Sequence, residues 1–302
     1  MALLAHSAIL HIAPKRLEAA VGLVHAAASP PKHAPEEEPL NDLPRTRLYV
    51  GSPLGPAASV PLTPTQTHHL NIVLRKNAGD AIRLFNGQDG EWLARLEQIG
   101  RSGGSAVAER QLRPQSAGPD IRLLVPPLKR GRIEWLVEKA TELGVAEIQL
   151  ILTIHTDAQR PKADKLAIHA VEAAQQCERL DVPALHPPVP LPEVLAAWPA
   201  GRPLVVAAER APASGPPPPG LAEVARQHSC GPAGLLVGPE GGFTVSELDD
   251  LRDLPFVALV GLGPRILRAE TAALAALACW QCLAGDGSVS PPLRSLVTTG
   301  AC

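Results

Sequence analysis

Leu235-Leu236-Val237-Gly238-Pro239-Glu240-Gly241-Gly242-Phe243 leads from a short apolar run into Ser246-Glu247-Leu248. An apolar run of this length bounded by Gly and Pro reads as a buried strand, and the segment after it as the start of a helix. Glycines at such a turn let backbone amides approach a ligand and line a concave site, although many strand-to-helix turns carry glycine for structural reasons alone. A second turn has the same position. Leu262-Gly263-Pro264-Arg265-Ile266-Leu267-Arg268-Ala269-Glu270-Thr271-Ala272 follows the apolar run Phe256 to Leu262 and opens an Ala-rich helix. Upstream, Ile121 to Pro126, Ile148 to Thr153 and Leu204 to Ala208 are further buried-strand runs. Between them, Ile133, Leu136, Val137, Ala140 and Leu143 share one helical face, and Leu166, Ala170, Ala173, Ala174 and Cys177 share another. Strands alternating with helices predict an α/β domain with a mainly parallel sheet over residues 115–286. Loops at consecutive strand ends of such a sheet converge on one edge, where ligands bind. No G-x-G-x-x-G follows the first strand, which argues against Rossmann and P-loop readings.

Residues 45–114 read differently. Arg47-Leu48-Tyr49-Val50, Ala81 to Phe85, Trp92 to Gln98 and Ser105 to Glu109 are short strands separated by turn residues, with one helix starting after Thr63-Pro64 and running through Leu74. This spacing predicts a small β-barrel. Residues 1–44 form a leader and a Pro- and Glu-rich linker, and residues 287–302 a loose tail. Of 302 residues, 45% are hydrophobic and 19% charged, which excludes a disordered polyelectrolyte. The front of the chain has no run of roughly 20 apolar residues, so no membrane partner is expected. A formal charge of -2 excludes a protein that coats nucleic acid non-specifically. Residues 45–113, however, hold nine basic against five acidic side chains, which suits docking of a local anion. The five cysteines are odd in number, and Cys279 and Cys282 lack the partners a zinc site needs, so neither a disulfide framework nor a metal is expected, and a cytoplasmic location is.

Three further segments stand out. Lys129-Arg130-Gly131-Arg132 places cations at a helix N-terminus, where they oppose the dipole, so an anionic partner would explain them. Glu138-Lys139-Ala140-Thr141-Glu142-Leu143-Gly144-Val145 continues that helix, and Glu172-Ala173-Ala174-Gln175-Gln176-Cys177-Glu178-Arg179 reads as a solvated helix face.

These segments, together with His68-His69-Leu70-Asn71-Ile72-Val73-Leu74-Arg75 and the two glycine-bearing turns, resemble in order and spacing the ribosomal RNA small subunit methyltransferase E family, the 16S rRNA (uracil-1498) N3-methyltransferases of the SPOUT class. The resemblance covers residues 45–286. It implies a PUA-like RNA-binding barrel, an α/β domain with a C-terminal trefoil knot, a homodimer, S-adenosyl-L-methionine as cofactor, and 16S rRNA in the 30S subunit as partner. It places the cofactor at Ala208, Glu209, Gly238, Pro239, Glu240, Gly241, Gly242, Leu262, Gly263, Ile266, Leu267 and Arg268. Arg265, Arg268 and Glu240 become the catalytic candidates, with Glu270 a further carboxylate that could act as base or merely cap a loop. Arg47, Arg75, Lys76, Lys129, Arg130 and Arg132 become the RNA-binding ones. Two departures touch the RNA-facing surface: Thr153-Ile154-His155-Thr156 stands where many members carry Glu-Arg-Ser or Arg-Arg-Thr, and Gln175 stands where they carry Glu. The other readings are a binding-only ribosome-assembly factor on the same fold, which would be free to lose the glycine-rich turns, and a SPOUT enzyme acting on another RNA.

Overall fold

The computed structural model describes residues 43–100, 103–156, 161–208, 217–228 and 231–291. The leader, the linker up to residue 42, the tail from residue 292 and Glu209 lie outside the described residues.

The front part contains β1 (Arg47–Tyr49), β2 (Ser59–Leu62), α1 (Pro64–His68), β3 (Ala81–Phe85), β4 (Glu91–Gly100) and β5 (Gly103–Arg113). They form one sheet of order β1-β3-β4-β5-β2, antiparallel except for β1 beside β3. In β4 the period of two is visible in burial. Trp92, Ala94 and Leu96 join the core with Leu48, Val60, Ile82 and Leu84, while Arg95 and Glu97 face solvent. Thr63 caps α1 as expected: its hydroxyl accepts from the Gln66 amide, and the Gln66 side chain accepts from the Thr63 amide. The helix does not run on regularly to Leu74. It widens into a π-helical turn at His69–Val73, which buries Leu70 and leaves Ile72, Val73 and Leu74 exposed.

The back part contains β6 (Ile121–Val125), α2 (Arg132–Glu142), β7 (Glu147–Leu152), α3 (Ala163–Gln176), β8 (Ala184–Pro190), α4 (Leu191–Ala196), β9 (Leu204–Ala207), α5 (Leu221–Ala225), β10 (Ala233–Val237), α6 (Val245–Arg252), β11 (Val257–Val260) and α7 (Ala269–Ala284). Every pairing in the six-stranded sheet, of order β11-β9-β10-β6-β7-β8, is parallel. Both faces are covered, as a parallel sheet requires. Leu123 and Val125, Val205, and Leu235 and Val237 belong to the core that includes α2, α3, α5 and α7, whereas Leu124, Val206 and Leu236 belong to the core that includes α4 and α6. This double burial is why these strands read as continuous apolar runs. Among the described residues no helix is long and apolar enough to cross a membrane.

A buried charge cluster joins the two sheets and corrects one expectation. Arg47, expected on the RNA-facing surface, is 5% exposed. Its Nε donates to Glu91, its Nη1 to the Ala174 carbonyl at 2.6 Å and its Nη2 to the Arg179 carbonyl, and its guanidinium lies 3.6 Å from the centre of the Phe85 ring. Burial pushes the Arg47 guanidinium below its ordinary value, and the Glu91 carboxylate pushes back. Arg113 donates to the other Glu91 oxygen at 2.9 Å and to the Glu178 carbonyl, while Arg83 reaches Glu178 Oε1 at 2.9 Å. The Tyr49 amide donates to Gln175 Oε1. The Ala174 carbonyl lies in the last turn of α3, where carbonyls lack a helical partner and carry the negative end of the dipole, so a cation is its natural complement; the carbonyls of Glu178 and Arg179 follow just beyond the helix. The segment around Gln175, Glu178 and Arg179, expected to be a solvated face and then an RNA-facing one, is therefore this latch between the two sheets. Each Arg47 donor group is engaged, so the side chain is not free to hold a phosphate.

Candidate cofactor and RNA site

Because every pairing in the back sheet is parallel, the loops after β6, β7, β9, β10 and β11 leave from the same edge. The turn after β10 is built on glycine. Gly242 adopts φ +71°, a left-handed conformation that costs other residues strain, and its amide donates to the Pro239 carbonyl at 2.8 Å. A Cβ on Gly238 would stand 2.9 Å from the Phe243 ring, so that glycine is required by packing. Thr244 then caps α6 in a reciprocal box with Glu247. Of the cofactor candidates here, Pro239 is buried, Gly238 and Gly242 half-buried, and Glu240 and Gly241 exposed.

The loop after β11 mixes anchors with open backbone. Leu262 and Leu267 pack on the core, whereas Gly263, at φ +99°, Arg265, Ile266 and Arg268 are exposed. Among the described residues no backbone hydrogen bond engages the amides of Leu262, Gly263, Ile266 or Leu267. Ala208 directly follows β9, its amide bonded to the Val260 carbonyl, which places it between the two loops' strands. Two glycine-bearing loops on the strands that flank β9, the one after β11 with free main-chain amides, suit a mostly uncharged heteroaromatic group read by main-chain atoms. The residues present thus fit an adenosine-bearing cofactor. Among the described residues no group of three His, Cys, Asp or Glu side chains converges as metal ligands would.

One cation bridges the loops. Arg132, at the start of α2, lies 3.6 Å from Glu240 Oε1 and 3.7 Å from Glu270 Oε1. Glu270 sits in the first turn of α7, is 7% exposed, and its Oε2 is buried without a partner. Arg132 therefore ties the glycine-rich turn to the root of α7, a role its place in the basic cluster did not announce. Lys129 and Arg130 remain exposed, with Arg130 reaching Glu134 at 3.6 Å, and so offer charge to a large anion. Arg75, at φ +53°, is exposed and Lys76 half-buried, both on the turn after the π-helical segment. Arg265 and Arg268 make no ion pair among the described residues.

The segment around Glu138 and Gly144 turns out to be structural. Lys139, pushed up to about 12 by hydrogen bonds to Glu138 and Glu142, closes a surface ladder. Gly144 takes φ +81° where a Cβ would collide with Gln281, whose amide donates to the Leu143 carbonyl. His155, by contrast, was not singled out for the cofactor loops, yet its Nδ1 stands 3.2 Å from the carbonyls of both Gly241 and Gly242. The departure at Thr153 to Thr156 therefore touches the cofactor loop as well as the surface.

The chain thus has a two-part architecture, a small five-stranded sheet followed by a parallel α/β sheet with glycine-bearing loops along one edge. Residues 115–281 match the RNA methyltransferase domain, and residues 62–108 match the RNA methyltransferase PUA domain. The chain is 30% identical over 233 residues to ribosomal RNA small subunit methyltransferase E of Rickettsia conorii, covering 77% of this chain and 93% of that one. It is 29% identical over 229 residues to the protein of the same name from Bacillus subtilis, covering 73% and 89%. Among solved structures, ribosomal RNA small subunit methyltransferase E from Neisseria gonorrhoeae bound to S-adenosyl methionine superimposes with a TM-score of 0.71 at 30% identity, covering 80% of this chain and 98% of that one. A methyltransferase from Legionella pneumophila in complex with the same cofactor gives 0.67 at 28%, again covering 80% and 98%. The chain belongs to the ribosomal RNA small subunit methyltransferase E family.

Proposed function

We propose that the chain transfers a methyl group from S-adenosylmethionine to N3 of a uracil in 16S rRNA, in the 30S subunit. The observation that carries the reading is the pair of glycine-bearing loops on the parallel strands flanking β9, the one after β11 open at the backbone, in a chain whose solved relatives hold this cofactor. S-adenosylmethionine supplies the methyl group on a sulfonium. The loops at Gly238 to Gly242 and Leu262 to Arg268, with Ala208 and Glu209, would hold it, and positioning accounts for a large part of the rate of a transfer between two bound reactants. Uracil N3 carries a proton that must leave. Arg265 and Arg268, cations without an ion-pair partner among the described residues, favour the uracil anion by facing its carbonyl oxygens. Glu240, exposed on the rim, is the carboxylate we assign to accept the proton. The buried Glu270 serves the root of α7 instead.

Lys129, Arg130, Arg75 and Lys76 grip the RNA backbone in this reading, where most contacts position rather than specify. The same reading divides the chain at residues 44, 114 and 286, ties the C-terminal part of the back domain in a trefoil knot, pairs two chains as a homodimer and places the protein in the cytoplasm.

The test is transfer of label from S-adenosylmethionine to 30S subunits lacking the modification, with the product nucleoside identified by mass spectrometry. A 3-methyluridine product supports the assignment. Cofactor binding with no transfer to these subunits would reject it in favour of another RNA substrate or a binding-only role.

A further inference from the structure

Resting on that reading of the cofactor site, we infer that the turn Thr153–Thr156 is a positioning element of the glycine-rich loop, and that His155 is its working residue. The turn is closed on itself. The Thr153 amide donates to Thr156 Oγ1 at 2.9 Å, the two hydroxyls are 2.9 Å apart, and the Thr156 amide donates to the Thr153 carbonyl at 3.1 Å. It is also fixed to α6, because the Ile154 amide donates to Glu247 Oε1 at 2.9 Å. The other oxygen of Glu247 accepts from the Thr244 amide at 2.8 Å. One carboxylate thus holds both the end of the glycine-rich loop and the turn.

His155 supplies the second point of attachment. Its Nδ1 lies 3.2 Å from Gly241 O and 3.2 Å from Gly242 O, and both are acceptors, so Nδ1 must carry a proton and share it between them. In the neutral ring that fixes the tautomer with Nε2 unprotonated. The approach depends on the missing side chain at Gly241, where a Cβ would stand 3.0 Å from His155 Cβ. Gly242, held at φ +71°, is the residue whose carbonyl orientation most needs a restraint, since glycine has the widest choice of alternatives. The Gly242 amide donates to the Pro239 carbonyl at 2.8 Å, so with both carbonyls held by His155 the peptide on either side of Gly242 is restrained. His155 acts through the loop, and it is a positioning residue for cofactor binding.

The test compares three variants by calorimetric titration with S-adenosylmethionine and by amide hydrogen exchange of residues 238–243 in the cofactor-free protein. His155→Ala should weaken binding about tenfold and speed exchange in that segment. His155→Asn, whose side-chain amide can stand where Nδ1–H stood, should return both readouts to within about threefold of wild type. His155→Gln, which reproduces only the Nε2 position, should not. Equal affinity and exchange in His155→Ala and wild type would overturn the inference while leaving the site in place. Rescue by Gln as complete as by Asn would overturn the assigned tether. A wild-type chain that takes up no S-adenosylmethionine would overturn the site itself, and the inference with it.

Discussion

The latch between the sheets and the loops at the sheet edge are built from opposite materials. The latch gathers Arg47, Arg83 and Arg113 around Glu91 and the end of α3, mostly out of water. The loops expose glycine backbone and hold few charges. Charge attracts attention in a sequence, yet here much of it is architectural. A guanidinium offers five donors in a fixed fork, which is what carbonyls in and just beyond the end of a helix, together with one carboxylate, can absorb. A cofactor read by main-chain atoms needs instead a backbone that can come close, and glycine provides that.

This division can be broken from either side. Gly242→Val should have the largest effect on function. A β-branched residue at φ +71° costs about 1–3 kcal/mol locally and fills the approach to the loop, so cofactor affinity should fall on the order of 100-fold while the melting temperature drops by only several degrees and the chain stays folded. Glu91→Ala should have the largest effect on stability. It leaves buried cations uncompensated, and losses of about 3–5 kcal/mol follow when one partner of such a cluster is removed, measurable by denaturant unfolding. Lys129→Ala combined with Arg130→Ala should weaken RNA binding and lower the slope of log affinity against log salt by about 2, with cofactor affinity unchanged. Arg132 is left out of that pair because it also ties Glu240 to Glu270. An unchanged slope would return both residues to ordinary surface.

The smallest effect lies at the turn between β3 and β4. The Asp89 carboxylate accepts from the Leu54 amide at 2.8 Å and from Asn86 at 2.6 Å, and these bonds hold it below its ordinary value of 3.8. A depressed folded value contributes stability that is complete above the unfolded value and is lost as pH falls through the folded one. Asp89→Asn should therefore melt slightly below wild type at neutral pH, and the two curves should converge as pH drops beneath 3.8.

The sequence made some of this plain and hid the rest for identifiable reasons. Ala81–Phe85 was legible to the residue because turn residues flank a short apolar run. β8 was missed because Pro187, Pro188 and Pro190 demote a strand, and it survives only as the sheet's edge, where missing amides cost little. β2 was missed because its four residues include Pro61 and pair only with β5. The π-helical turn carries the same apolar residues as a regular helix, so periodicity could not distinguish them. Arg47 was misjudged because its partners, Glu91, Ala174 and Arg179, are remote in the chain. The glycine-rich turns were legible as candidates, since a strand-to-helix turn with glycine is local. His155 was not, because its link to Gly241 spans 86 positions and its only sequence signal was a departure from the family pattern.

The most direct test of the division is a side-by-side calorimetric titration of S-adenosylmethionine into Glu91→Ala and Gly242→Val, below the melting temperature of both. Glu91→Ala is expected to bind within about threefold of wild type despite its lost stability, whereas Gly242→Val stays folded and binds on the order of 100-fold more weakly. Equal losses in the two variants, or unchanged affinity in Gly242→Val, would contradict the division.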